Sequence, residues 1–259
     1  MQPDGSAVRY DGSFAGWCAV CARLLEAGDP EPLFWLVAGQ EGQQGLFGDA
    51  ATSVPQADEE ELSRFLSRLR LAGREGLIRD LLCLFLSEAA HREILMFRMV
   101  RVSLERARRG RAWHTHPDMR RAGMLIDSTR REAHRMRGLL RFVELRDGTL
   151  YARCAPKHDV LPLTAGYFRR RMPKERWVIH DEARAYGLAW DSTALRFVDT
   201  FPSDTRELLS AAEARYRACW QTFFREVAVP ERYNPCLQRH FLPERFRQYL
   251  PELEPEGFD

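Results

Sequence analysis

In four segments of the first 139 residues, apolar residues recur every three or four positions, the spacing that is typical of amphipathic helices. The residues that interrupt this pattern are Gly, Pro and polar helix caps, such as Ser13 before the first apolar stretch and Gly138 after the last. The predicted helices cover residues 14–25, 58–71, 77–109 (one long helix or two in tandem) and 115–138.

After Gly138 the apolar period changes from about 3.6 residues to 2, which indicates strands. Arg146-Asp147-Gly148 is a strong hairpin turn between two alternating segments. The predicted strands are 140–145, 149–154, 176–180, 187–190 and 194–198, with a short basic helix at 161–171. The sequence therefore predicts an α+β fold, with a helical N-terminal half followed by a small, mostly antiparallel sheet covered by helices.

One more long helix is predicted to begin at Pro202-Ser203-Asp204, where Pro and polar residues supply a helix start. The apolar residues that follow keep helical spacing, so the pattern predicts that they share one face buried against the core. The residues of this predicted buried face are Leu209, Ala212, Tyr216, Cys219, Trp220 and Phe223.

Length and composition limit the class of protein. The chain has 259 residues, 45% of them hydrophobic, which is enough for one large domain or two small ones. No apolar run approaches the roughly 20 residues that a membrane span needs, and Met1–Tyr10 lacks the apolar segment of a signal peptide. We expect a soluble, cytoplasmic protein without membrane contact.

Charge is distributed unevenly although the net charge is only +2. Residues 1–97 carry a net charge of −7, and residues 98–141 carry 13 Arg against four acidic residues, a net of +9. A positive stretch of this density attracts phosphates. Since 37 of the 39 basic residues are Arg, a genome rich in GC could produce the same bias. A nucleic-acid surface and a merely solvated basic face therefore both remain open.

The residue pattern contains no strong catalytic or metal motif. Cys18 and Cys21 form a CxxC, but no second such pair accompanies it, so we expect reduced thiols, no bound metal and no cofactor. Histidines and carboxylates that could do acid–base work do occur together in the second half of the chain. They are Glu132, His134, Glu144, Asp147, His158, Asp159, His180 and Asp181.

Several short motifs become distinctive as an ordered set. The chain opens with Tyr10-Asp11-Gly12-Ser13-Phe14, and Leu86-Ser87-Glu88 follows in a predicted helix. The third motif is Arg131-Glu132-Ala133-His134-Arg135-Met136 with Gly138, and it leads into Arg141-Phe142 with Glu144 and Asp147-Gly148. Trp177-Val178-Ile179 with Asp181 comes next. The closing motif consists of Glu231-Arg232, Asn234-Pro235, Leu237-Gln238, Phe241, Pro243, Arg245 and Tyr249-Leu250. Together they resemble a family of bacterial DNA-metabolism proteins built on a domain of unknown function.

The resemblance covers essentially the whole chain and implies one family domain over residues 1–259, with a possible subdivision into 1–112 and 113–259. In that family the domain occurs beside a radical-SAM DNA repair or modification protein, or fused to a uracil-DNA-glycosylase-like domain, which we do not expect in this chain. It implies a DNA-binding accessory protein in DNA repair or base modification, with DNA and the radical-SAM protein as partners. An enzyme acting directly on DNA, or an interaction module without DNA contact, are the alternatives.

Most site residues follow from the same resemblance. His134 and Glu144 fit the family pattern and are the candidate acid–base pair, whereas His158 and His180 stand where the pattern has other residues. The candidate nucleic-acid-binding residues are Arg131, Arg135 and Arg141 of the family motifs and, independently of the resemblance, Arg169, Arg170 and Arg171, which could form either a phosphate clamp or a solvated helix end.

Overall fold

The computed structural model describes residues 8–28, 52–53, 58–72, 76–109, 116–201, 208–232 and 234–253. The chain divides into two compact units, Met1–Arg130 (unit 1) and Arg131–Asp259 (unit 2). The division falls inside one long helix, α5, which runs from Pro117 to Leu139. Among the described residues, no helix combines the length and apolar character that crossing a bilayer requires.

Unit 1 is helical, as its apolar spacing predicts. The segment 77–109 forms two helices, because Leu86 ends the first and His91, at φ 59°, precedes the second. A short parallel strand pair accompanies the helices. The elements are β1 (Val8–Arg9), α1 (Phe14–Ala27), β2 (Thr52–Ser53), α2 (Glu59–Ala72), α3 (Leu77–Phe85), α4 (Arg92–Arg109) and the first part of α5.

In unit 1, α2 packs against α1, α3 and α4, and α4 also packs against α3 and α1. Ser13 caps α1, since its hydroxyl accepts a hydrogen bond from the Gly16 N–H at 2.9 Å. Fully buried side chains come from every helix of the unit, and they include Trp17, Leu69, Leu81, Leu84, Met96, Phe97, Met99 and Ala122.

Unit 2 contains a five-stranded sheet in the order β3-β4-β5-β6-β7. Only β4 and β5 pair in parallel, and α6 connects them. The fold is therefore α+β with a mostly antiparallel sheet, as predicted. The elements are β3 (Val143–Glu144), β4 (Leu150–Cys154), α6 (Leu161–Arg171), β5 (Trp177–Asp181), β6 (Tyr186–Trp190), β7 (Leu195–Val198), α7 (Glu213–Val227), α8 (Pro235–Phe241) and α9 (Glu244–Arg247).

The β3–β4 hairpin forms where the sequence predicts it. The Asp147 carboxylate accepts hydrogen bonds from the Thr149 N–H at 3.0 Å and hydroxyl at 2.8 Å. Gly148 has a φ of 79°, a conformation that favours glycine. The sheet and the helices α5 and α6 then enclose one core, whose members include Ala133, Met136, Leu161, Phe168, Trp177, Ile179 and Leu188.

The predicted burial of the last long helix is wrong. The helix α7 begins at Glu213, and the predicted start at 202–204 lies outside the described residues. Tyr216 is 60% exposed and Phe223 56%. The main packing partner of α7 is the C-terminal turn Pro251–Leu253. Helical spacing correctly indicated an apolar side of the helix, but it did not show whether other elements cover that side.

Candidate nucleic-acid interface

The second part of α5 and the helix α6 present a set of arginines to solvent. On α5, burial of Glu132, Ala133 and Met136 turns the intervening residues outward. On α6, Leu161, Thr164, Ala165 and Phe168 face the core, so the last turn projects away from it. We call the outward arginines the basic face, and they are Arg131, Arg135, Arg137, Arg169, Arg170 and Arg171. All are exposed except Arg135, which is half-buried.

Contacts of Arg137 join the two helices of the basic face. Its guanidinium donates to the Leu163 carbonyl oxygen at 3.5 Å. The same group lies 5.6 Å from the centre of the Tyr167 ring, within the range of a cation–π contact. Arg170 and Arg171 follow Tyr167 by three and four residues, which places them on the next turn beside that ring. Arg137 thus connects the end of α5 to α6, whose last turn carries the other three arginines.

The basic face keeps its positive charge because carboxylates are absent from it. Within 131–139 and 161–171 the sequence contains one acidic residue, Glu132. Its side chain is buried and binds inward, accepting from the Lys157 N–H at 2.9 Å, the His158 N–H at 2.7 Å and the Arg245 guanidinium at 2.7 Å. Among the residues that the structure describes, no arginine of the basic face forms an ion pair.

Arg141 is placed differently from the other arginines predicted to bind nucleic acid. Its guanidinium pairs with the Glu252 carboxylate at 2.6 Å, and the Glu252 side chain is only 4% exposed. It also lies 5.3 Å from the centre of the Trp220 ring. Burial raises the pKa of Glu252, but hydrogen bonds from Arg141 and Trp220 outweigh this effect and hold the pKa below its usual value. Arg141 therefore anchors the C-terminal turn.

The two predicted acid–base residues lie in different surroundings. His134 is exposed on α5, one turn from Arg131 and beside Arg135, and it makes no hydrogen bond to another described residue. Glu144 lies in β3, where its carboxylate accepts from the Ser210 hydroxyl at 3.1 Å and its N–H donates to Glu213 at 2.9 Å. No described hydrogen bond joins His134 to Glu144.

A family model described as a domain of unknown function (DUF4130) matches residues 90–252, more than half of the chain. The chain belongs to the DUF4130 family. No curated protein and no solved structure matches it. The match contains the whole basic face and all of unit 2 as far as Glu252, whereas α1, α2 and α3 lie outside it. One family domain over residues 1–259 stays a prediction.

Within the DUF4130 match, a buried polar network supports the loop 155–160 at the carboxyl ends of β4 and β5. Arg184 pairs with Asp181 at 2.6 Å and donates to the carbonyl oxygens of Pro156 and Lys157. The Tyr186 hydroxyl donates to Asp159, and burial together with this hydrogen bond raises the pKa of Tyr186. Glu132 of α5 accepts hydrogen bonds from the Lys157 and His158 N–H groups of the same loop, so the network holds the start of α6 against α5.

Sequence reasoning missed Arg184, Tyr186 and Arg245 as members of this network. Arg245 and Glu132 both belong to the motifs through which the chain resembles the family. Their shared membership of this set was the one sequence signal for their pairing. The spacing of 113 residues between them gives no reason to expect contact. Their function in the DUF4130 domain is structural, because their polar atoms bind each other and the backbone.

Metal ligation finds no support in the described part of the chain, where no three His, Cys, Asp or Glu side chains form a group that could hold a metal ion. Cys18 and Cys21 are buried on α1. Burial raises the pKa of Cys18 to about 12 and that of Cys21 well above its usual value. Burial therefore favours the protonated form of both thiols at neutral pH.

Proposed function

We propose that this DUF4130 protein is a DNA-binding accessory protein in DNA repair or base modification, and that the basic face binds the phosphate backbone. The observation that carries this proposal is the group of six arginines on α5 and α6 without a paired carboxylate among the described residues. Because each guanidinium can form two parallel hydrogen bonds to a phosphate, such a surface suits a polyanion.

The strength of such binding depends on salt. Each phosphate that an arginine neutralises releases condensed counterions, so log affinity falls against log salt concentration with a slope of about 0.9 per contact on duplex DNA. A face of six arginines therefore predicts a steep salt dependence and little sequence preference, because no base edge is read.

The triple variant Arg131→Gln, Arg135→Gln, Arg170→Gln tests the assignment. Its slope on duplex DNA is expected to be smaller by about 2.7, three contacts at about 0.9 each. The matched control is Arg64→Gln, Arg68→Gln, Arg70→Gln, which removes three charges from exposed arginines of α2. If both triple variants change the slope equally, net charge alone explains binding and the assignment of this face is wrong.

The repair context and the radical-SAM partner rest on the family resemblance. We propose that the partner enzyme performs the chemistry and that this protein positions it on DNA. Co-purification of the tagged chain with the protein encoded beside its gene tests this step. A partner of another enzyme class would contradict the radical-SAM proposal without affecting DNA binding by the basic face.

A second candidate function is an enzyme that acts on DNA through His134, favoured by the exposure of this imidazole among the arginines of the basic face. His134→Ala is then expected to abolish repair activity in cells while stability changes by less than about 0.5 kcal/mol, as for other surface residues. Turnover of a modified base by the isolated chain would support the enzyme, and unfolding of the variant would make His134 a structural residue.

A further inference from the structure

Four aromatic side chains of α7 lie on the surface rather than in the core. We call them the aromatic face: Tyr216 (60% exposed), Trp220 (37%), Phe223 (56%) and Phe224 (37%). All four lie within nine residues of one helix, at spacings of three and four that keep them on one side. Exposed aromatic groups of this density indicate a binding surface.

Trp220 is held in place before any ligand arrives. Its indole N–H donates to the Glu252 carboxylate at 2.9 Å, and the same carboxylate binds Arg141. The Trp220 and Phe223 rings are stacked, with centroids 5.7 Å apart and planes inclined by 27°. A fixed, stacked pair of rings has already lost its conformational freedom, so a planar ligand can add to it at low entropic cost.

The charges around these rings favour a negatively charged ligand. The helix carries Arg215, Arg217 and Arg225 between or beside the aromatic residues. Of its two acidic residues, Glu213 is buried and accepts the Glu144 N–H, so Glu226 alone presents a negative charge to solvent on α7. Arginine alternating with exposed rings is the combination that surfaces for single-stranded nucleic acid use.

We propose that the aromatic face of α7 binds unpaired DNA bases by stacking. Duplex DNA hides the faces of its bases, so this surface selects single strands, whereas the basic face binds backbone phosphates of either form. The inference rests on the proposed function, since it specifies which form of DNA a DNA-binding protein prefers. According to this proposal, α7 recognises the unpaired region of a DNA repair substrate.

The test compares a labelled 20-nucleotide oligothymidine with a 20-base-pair duplex, using the full chain and the double variant Tyr216→Leu, Phe223→Leu. Leucine keeps an apolar side chain but removes the ring. The variant is expected to bind the oligothymidine at least about tenfold more weakly, since alanine substitution of one stacking ring already costs this much. Its duplex affinity is expected to stay within twofold.

Phe197→Leu provides the matched control, because Phe197 is 70% exposed on β7 and outside the aromatic face. Unchanged oligothymidine binding by the double variant would overturn the proposal, and so would an equal loss on both DNA forms. A wild-type chain that sediments as a dimer, and whose α7 variant sediments as a monomer, would assign the face to a second copy instead. In each of these cases the salt slope of duplex binding still tests the basic face separately.

Discussion

Arg130 and Arg131 are neighbours on α5 and both are exposed, yet only Arg130 has an ion-pair partner among the described residues. Arg130, the last residue of unit 1, donates to the Asp80 carboxylate, which is 3% exposed. Arg131, the first residue of unit 2, is exposed and has no ion pair among the described residues. The comparison shows that a stretch of uniform positive charge in the sequence contains arginines with different functions.

Paired and unpaired arginines also occur elsewhere in the basic stretch, and Arg120 and Arg121 of unit 1 are exposed without an ion pair among the described residues. In unit 1, Arg98 pairs with Asp118 at 3.0 Å and Arg101 lies 3.8 Å from Glu105. In unit 2, Arg135 and Arg137 have no carboxylate to pair with on the basic face. A carboxylate that pairs with an arginine offsets its charge locally, whereas an unpaired exposed arginine is available to a ligand. Substitutions should separate these two groups of arginines.

The largest effect is expected for Glu132→Ala, which removes the buried acid beneath the basic face. The Lys157 and His158 N–H groups and the Arg245 guanidinium lose their shared acceptor. We expect a loss of about 3 kcal/mol in the free energy of unfolding, since buried donors would stay unpaired. Urea denaturation measures it. Asp127→Ala, at an exposed site of the same helix, is the control and should change stability by less than about 0.5 kcal/mol.

A smaller loss is expected for Arg130→Gln. The buried Asp80 carboxylate would lose its guanidinium partner, but the Arg130 side chain is 44% exposed, so water reduces the effect to about 2 kcal/mol. Arg131→Gln should leave stability within about 0.5 kcal/mol. Equal effects of the two variants in urea denaturation would remove the basis of the comparison between these neighbours.

Substitutions of Arg131 and Arg141 should differ in their effect on the salt dependence of DNA binding. Arg131→Gln is expected to reduce the salt slope on duplex DNA by about 0.9, the value of one phosphate contact. Arg141→Gln should leave the slope unchanged, because Glu252 already neutralises this guanidinium. Binding titrations at several salt concentrations measure both slopes. A reduced slope for Arg141→Gln would show that Arg141 contacts the DNA backbone in spite of its pairing with Glu252.

The smallest effect concerns pH and Glu252. Hydrogen bonds from Arg141 and Trp220 hold the pKa of Glu252 below its usual value of 4.5, so ionised Glu252 stabilises the folded chain above pH 4.5. This contribution, at most about 1 kcal/mol, is lost as the pH falls from 4.5 through the lowered pKa of the folded state. Denaturation of the wild type and Glu252→Gln should therefore differ at pH 7 and converge at low pH. A constant difference across this range would contradict the Arg141–Glu252 pairing.

Local sequence patterns predicted much of the fold, because helices and hairpins depend on neighbouring residues. The end of α5 near Gly138, the Asp147-Gly148 turn and the helix α6 all lie where apolar period and turn residues place them. The exposure of the arginines on α6 also follows from helical spacing. Spacing failed for α7, because a one-sided apolar helix has the same pattern whether its apolar side faces the core or a ligand.

Residue patterns along the chain are sufficient to assign the α+β class, the position of the hairpin and the concentration of arginine in residues 98–141. Which arginines keep an unpaired charge depends on the folded chain, because the pairings of Arg130 and Arg141 join residues that are far apart in the sequence. Arg130 meets Asp80 across 50 residues, and Arg141 meets Glu252 across 111. Periodicity describes which side of an element is apolar, whereas the neutralisation of a charge depends on which carboxylate the folded chain brings within a few ångströms of it.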